Sequence, residues 1–168
     1  MQKIFAILML FVMTAATSYS QEKKPAASPR AYVKTDNVSI SYGQPSKKGR
    51  EIFGGLVPYR QVWRTGANEA TEITFKKACN FGGKMIKPGT YTLFTIPGEN
   101  EWTVILNGQL KQWGSFEYEK TKSKDVAQVK VPVKHLDAVV EKFTMSMPAG
   151  DALEMQWDKT GVSVPMKF

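Results

Sequence analysis

The residues best equipped for chemistry in this chain fall in one short block, Trp63-Arg64-Thr65-Gly66-Ala67-Asn68-Glu69-Ala70-Thr71. Trp63 offers a flat apolar face, Arg64 and Asn68 offer directional donors, and Glu69 offers a carboxylate. An aromatic platform beside such groups suits a sugar or another polar small molecule, and Trp113 further along is a second candidate platform. The same residues also suit a purely structural task. Arg64 and Glu69 can pair or satisfy backbone groups, and Asn68 can hold a turn through its own backbone. Both readings stand at this level.

Other constellations are missing. The chain has one Cys and one His, which rules out an internal disulfide framework, a thiolate zinc cluster and a multi-histidine metal site. There is no G-x-S-x-G elbow, H-E-x-x-H or EF-hand spacing, and Gly54-Gly55 lacks the phosphate-cradling patterns. No metal or cofactor is therefore expected. A glycosidase needs only two suitably spaced carboxylates, so Glu69 with Glu51, Glu72 or Asp151 keeps a carboxylate-dependent hydrolase of envelope carbohydrate open. Cys79 reads as a buried small hydrophobe and His135 as a solvated turn residue. Trp102 and Trp113, with Tyr91 and Phe94, are further candidates for a ligand platform, but on strands of alternating pattern the set reads first as core.

These residues need a scaffold, and the patterning describes one. Lys3, the apolar run Ile4–Met13 and the small residues up to Ser18 and Ser20 form the three-part pattern of a secretory signal peptide, with cleavage expected after Ser20. The run is too short for the roughly 20 residues of a spanning helix, so no transmembrane segment is expected in the mature chain. The expected organisation is a signal peptide over 1–20, a linker over 21–29 and one domain over 30–168, in a periplasmic or secreted protein. Period-two stretches then alternate with turns: Val38–Tyr42, Thr71–Lys76, Thr90–Ile96, Glu101–Leu106, Val126–Val133, Phe143–Met147, Leu153–Trp157 and Val162–Phe168. Pro97-Gly98 joins the clearest hairpin and Asp158–Gly161 the last one. Leu136, Val139, Val140 and Phe143 have helical spacing, but the alternation that follows favours a turn at His135–Ala138 and then a strand. Short strands at this rhythm predict an all-β, antiparallel sandwich, jelly-roll-like, in a single domain.

The motif blocks also resemble a known family. Lys48-Gly49-Arg50, Ile52 to Tyr59, Val62 to Thr71, Pro88 to Phe94, Trp102 to Ile105 and Gln112-Trp113-Gly114 are similar to the hallmarks of domain-of-unknown-function family 2911. The likeness spans Ser28 to Phe168. It implies a secreted or periplasmic β-rich domain of the Bacteroidetes type, without an established activity.

The net charge of +8 fits the surface of an exported domain, and export argues against a nucleic-acid partner. Glu117–Lys124, which mixes both signs, reads as a solvated loop. The leading expectation is an exported envelope domain that binds a glycan or other polar small molecule through the Trp63–Thr71 loop. The hydrolase is one alternative and a purely structural or assembly domain the other.

Overall fold

A computed structural model describes residues 28–168, so the signal-peptide pattern and most of the linker lie outside the described residues. The strands are β1 (Arg30–Lys34), β2 (Val38–Gly43), β3 (Thr71–Phe75), β4 (Cys79–Phe81), β5 (Lys84–Ile86), β6 (Gly89–Ile96), β7 (Glu101–Asn107), β8 (Asp125–Pro132), β9 (Lys134–Ser146) and β10 (Ala152–Lys167). One short helix, α1 (Tyr118–Thr121), precedes β8. The chain is an all-β sandwich. One sheet runs β1-β2-β3-β6-β7-β8 and the other β5-β4-β10-β9, with every neighbouring pair antiparallel. Among the described residues, no helix is long and apolar enough to cross a membrane.

Alternation decides which side chains fill the space between the sheets. Val38, Ile40 and Tyr42 of β2, Ile73 and Phe75 of β3, and Trp102, Val104 and Leu106 of β7 point inward. They meet Phe81, Phe143, Met145, Leu153, Met155 and Trp157 from the second sheet. The opposite face of the first sheet carries a smaller apolar cluster, in which Phe94, Ile105 and Ala70 are covered by Tyr118 of α1.

Two elements differ from simple alternation. β10 is bent back on itself at Asp158–Lys159. Straight, its residues would span about 50 Å at ~3.3 Å per residue. Instead the Met166 N–H donates to the Asp151 carbonyl at 2.6 Å, a Cβ on Gly161 would lie against Gln156, and Asp158 takes φ 55°. Leu153, Met155 and Trp157 on one arm thus face the core beside Val162, Val164 and Met166 on the other. The two arms joined by Asp158–Gly161 in the sequence are this hairpin. The turn expected at His135–Ala138 is corrected: β9 runs from Lys134 and includes these residues. Its ladder breaks there, because His135 faces Thr160 while Val140 faces Asp158. The extra residues bulge outward, leaving Asp137, Ala138 and Val139 exposed.

The solvated loop expected at Glu117–Lys124 is also corrected. It forms α1 and a 3-10 turn over Lys122–Lys124, because Tyr118 buries its ring against Phe94 at 5.2 Å between centroids. Cys79 is fully buried in β4, and that burial pushes its thiol pKa up, partly offset by the Lys167 backbone N–H. A thiol kept protonated in an apolar setting is a packing group.

Tyr118 yields a pH prediction. Its hydroxyl donates to Asp125 Oδ2 at 2.7 Å. Burial above all, and then the bond to and charge of Asp125, push its pKa well above the usual value of 10.0. The unfolded chain releases this proton near pH 10 while the folded chain retains it, so the contribution is complete below pH 10 and is lost as pH rises. Urea unfolding above pH 10 is expected to show a steeper loss of stability in the wild type than in Tyr118→Phe. Parallel pH profiles would overturn this assignment.

Candidate functional site

The block singled out from the sequence forms an irregular strap over the end of β3. Trp63 continues the β6 ladder past the start of β3: its N–H donates to the Thr95 carbonyl at 2.7 Å, and the Thr95 N–H returns a bond at 3.0 Å. Thr65, Gly66 and Asn68 then take positive φ of 54°, 154° and 64°. For the β-branched Thr65 this is a strained conformation. Its hydroxyl is held by the Trp63 carbonyl at 3.3 Å and by Thr95 Oγ1 at 3.1 Å, and its carbonyl accepts from Thr71 Oγ1 at 2.7 Å. The strap lies close on β2, where the Ala67 N–H donates to the Gly43 carbonyl at 3.2 Å. A Cβ at position 43 would overlap the Ala67 carbonyl, so glycine is required there.

The five candidate residues divide. Trp63 is only 8% exposed and lies between the sheets, stacked on Trp157 at 5.9 Å and 16°, with its Nε1 donating to the Gly66 carbonyl at 3.1 Å. A role for Trp63 as a ligand platform is therefore corrected: its faces are taken by other core rings. Arg64 sends Nη1 to the Asn68 carbonyl at 3.2 Å, and Asn68 sends Nδ2 to the Ser28 carbonyl at 3.2 Å. Arg64 thus braces the strap's own backbone, and Asn68 ties the strap to the segment before β1. Glu69 is exposed and lies 3.4 Å from Arg30 Nη1 of β1. The core reading of Trp113 is corrected: it is 61% exposed, because it lies in the loop after β7 and not on a strand.

Glu69 and Trp113 are brought together by a second loop. Between β7 and α1, the Gln112 carbonyl accepts from the Ala70 N–H at 2.9 Å, and the Gly114 N–H donates to the Asn68 carbonyl at 3.2 Å. Ser115 Oγ donates to the Val62 carbonyl at 2.9 Å, and the Lys111 N–H donates to Glu72 Oε1 at 2.9 Å. This pairing puts Trp113 opposite Glu69. The result is an open groove of about 360 Å³ on the outer face of the first sheet. Arg30 and Tyr32 of β1 line one side, Glu69 and Glu72 flank the start of β3, and Lys111, Gln112 and Trp113 close the other side. Tyr32 is 68% exposed. A smaller depression of about 230 Å³ shares Tyr32 and Glu72 and adds the hydroxyls of Ser39, Ser41 and Thr74.

Tyr32 and Arg30 belong to the groove without standing out in the sequence, where Glu72 figures only as one possible partner of Glu69. The available signal was their alternation: in the ladder Tyr32 faces Ser41 and Ser41 faces Glu72, so these polar side chains share the outer face. Of the carboxylates considered as partners for Glu69, Glu72 lines the same groove, and Glu51 and Asp151 do not. A larger depression of about 470 Å³ lies around the β6–β7 turn, where Glu101 and Lys130 pair at 2.9 Å and Tyr59 supplies the single aromatic side chain. Among the described residues, no three His, Cys, Asp or Glu side chains are grouped to hold a metal ion.

The sequence model of a family described as "Protein of unknown function (DUF2911)" matches residues 24–166. No curated protein and no solved structure matches the chain.

The two tryptophans are expected to respond differently to truncation. Trp63→Ala should lower the unfolding free energy in urea by about 3–5 kcal/mol, as for other buried aromatics. Trp113→Ala should change it by about 0.5 kcal/mol or less. Equal losses would show that Trp113 is structural. Gly43→Ala should also destabilise the fold, by displacing the strap from β2.

Proposed function

Given that the chain belongs to the DUF2911 family, whose function is unknown, we propose that it is an exported domain that binds a glycan in the groove between β1 and the Trp113 loop. The observation that carries this reading is the pair of exposed aromatic side chains, Tyr32 and Trp113, lining one groove with Glu69, Glu72, Arg30 and Lys111. Sugars have apolar faces edged by hydroxyls. An exposed ring covers such a face, and nearby carboxylates and cations take the hydroxyls as donors or acceptors.

Arg64 and Asn68 act one layer below. They hold the strap in the shape that presents Glu69, and Trp63 anchors that strap in the core. Both groove carboxylates serve as fixed acceptors, Glu69 next to Arg30 and Glu72 on the Lys111 N–H. Export is part of the proposal and rests on the N-terminal pattern.

Screening the mature protein on a glycan array, followed by calorimetry on the glycans retained, tests the proposal. Trp113→Ala and Tyr32→Ala should each weaken binding by about tenfold, the scale of one stacked ring. Arg30→Ala should weaken it less. An array without any retained glycan, or affinities unchanged in both aromatic variants, would overturn the reading.

A further inference from the structure

The charge of this chain is unevenly placed. Residues 28–168 carry 20 Lys and Arg against 14 Asp and Glu. Between Ile73 and Gly98 there are four lysines, Lys76, Lys77, Lys84 and Lys87, and no carboxylate. Elsewhere four lysines have carboxylate partners, Lys47 with Asp158, Lys120 with Glu117, Lys122 with Glu119 and Lys130 with Glu101, and the others are spread singly among acidic residues. All four lysines of the acid-free stretch are exposed, and none makes an ion pair among the described residues.

The topology gathers these four at one corner of the sandwich. Phe75 faces Gly89 in the first sheet, and Cys79 faces Ile86 in the second. The chain crosses between sheets twice at this point, so the turn carrying Lys76 and Lys77 runs beside the one carrying Lys87. Lys84 sits three residues back along β5, about 10 Å away along the strand. Between them Met85 is 71% exposed, on a short hairpin closed by Gly82 and Gly83. The Lys76 N–H bonds the Asn37 carbonyl, which makes neighbouring Asp36 an acidic residue bordering the patch. The corner remains net positive with Asp36 counted.

We propose that this corner docks the protein on an anionic phospholipid surface, with the β4–β5 hairpin leading. Four lysines clustered within a few Debye lengths act jointly on a charged plane, and the attraction falls with salt. Met85 distinguishes a bilayer from a soluble polyanion, because an apolar side chain among cations gains by entering beneath the headgroups. The corner is built from other residues than the glycan groove, so the two assignments stand or fall separately.

Co-sedimentation with vesicles of phosphatidylcholine alone, and of phosphatidylcholine with an equal amount of phosphatidylglycerol, tests the proposal. The protein should bind the anionic vesicles, less so at high salt, and should not bind the neutral ones. Each Lys→Gln change at 76, 77, 84 or 87 should weaken binding about fivefold. A triple change at Lys120, Lys122 and Lys124, and Trp113→Ala, should leave it unaltered. Met85→Ser should weaken vesicle binding and leave retention on immobilised polyphosphate unchanged. Equal binding to both vesicle types, wild-type binding by the lysine variants or by Met85→Ser, or retention on polyphosphate without vesicle binding would each overturn it.

Discussion

Two backbone hydrogen bonds join Trp63 to Thr95 where β3 has not yet begun, and the indole they position lies between the sheets against Trp157, Phe143, Phe53 and Trp102. Ring centroids in this cluster lie 4.9–6.3 Å apart, a range in which aromatic pairs contribute beyond their buried area. The strap that follows contains three positive-φ residues within four positions, a conformation that would not persist unaided. It persists because its first residue is anchored in the core, because Thr65, Thr71 and Arg64 satisfy its backbone groups, and because Asn68 ties it to the Ser28 carbonyl ahead of β1. The exposed Glu69 is where it is because the buried Trp63 is where it is.

The same economy explains why the groove lies on an outer sheet face. A sandwich of this size has its interior filled by side chains, with Phe81, Phe143, Trp102 and Trp157 fully buried. A polar site must therefore be made outside, from the solvent-facing half of each strand and from loops folded over it. The β7–α1 loop does this by pairing with the strap through Ala70, Gln112 and Gly114, and Tyr118 pins its far end into the second apolar cluster. Beyond the far end of β3, the β4–β5 hairpin and its flanking turns leave the lysines and Met85 in solvent.

Much of the fold was legible in the residues. Alternation and β-forming composition identified β2, β3, β6, β7 and β8, and the turns Pro97-Gly98 and Asp158–Gly161 identified two hairpins. β1, β4 and β5 were less visible: the last two have three residues each, too few for a period to show. Leu136, Val139, Val140 and Phe143 suggested helical spacing because a bulge in β9 breaks the two-residue period. The buried Tyr118 was hidden within a charged run whose lysines and glutamates pair along the surface.

The candidate site was legible as chemistry and not as placement. Residue types alone established that a polar-aromatic block occurs at Trp63–Thr71, that one Cys and one His leave little room for metal or thiolate chemistry, and that the scaffold is a two-sheet sandwich. Only the tertiary structure decided that Trp63 belongs to the core, that Arg64 and Asn68 brace the loop, and that Glu69 meets Trp113, Tyr32 and Glu72 across a groove. The reason is that local sequence sets which face of a strand a side chain occupies. Its neighbours there come from strands and loops about 40 residues away, as Arg30 and Trp113 are from Glu69, and pairing between distant segments leaves no local pattern to read.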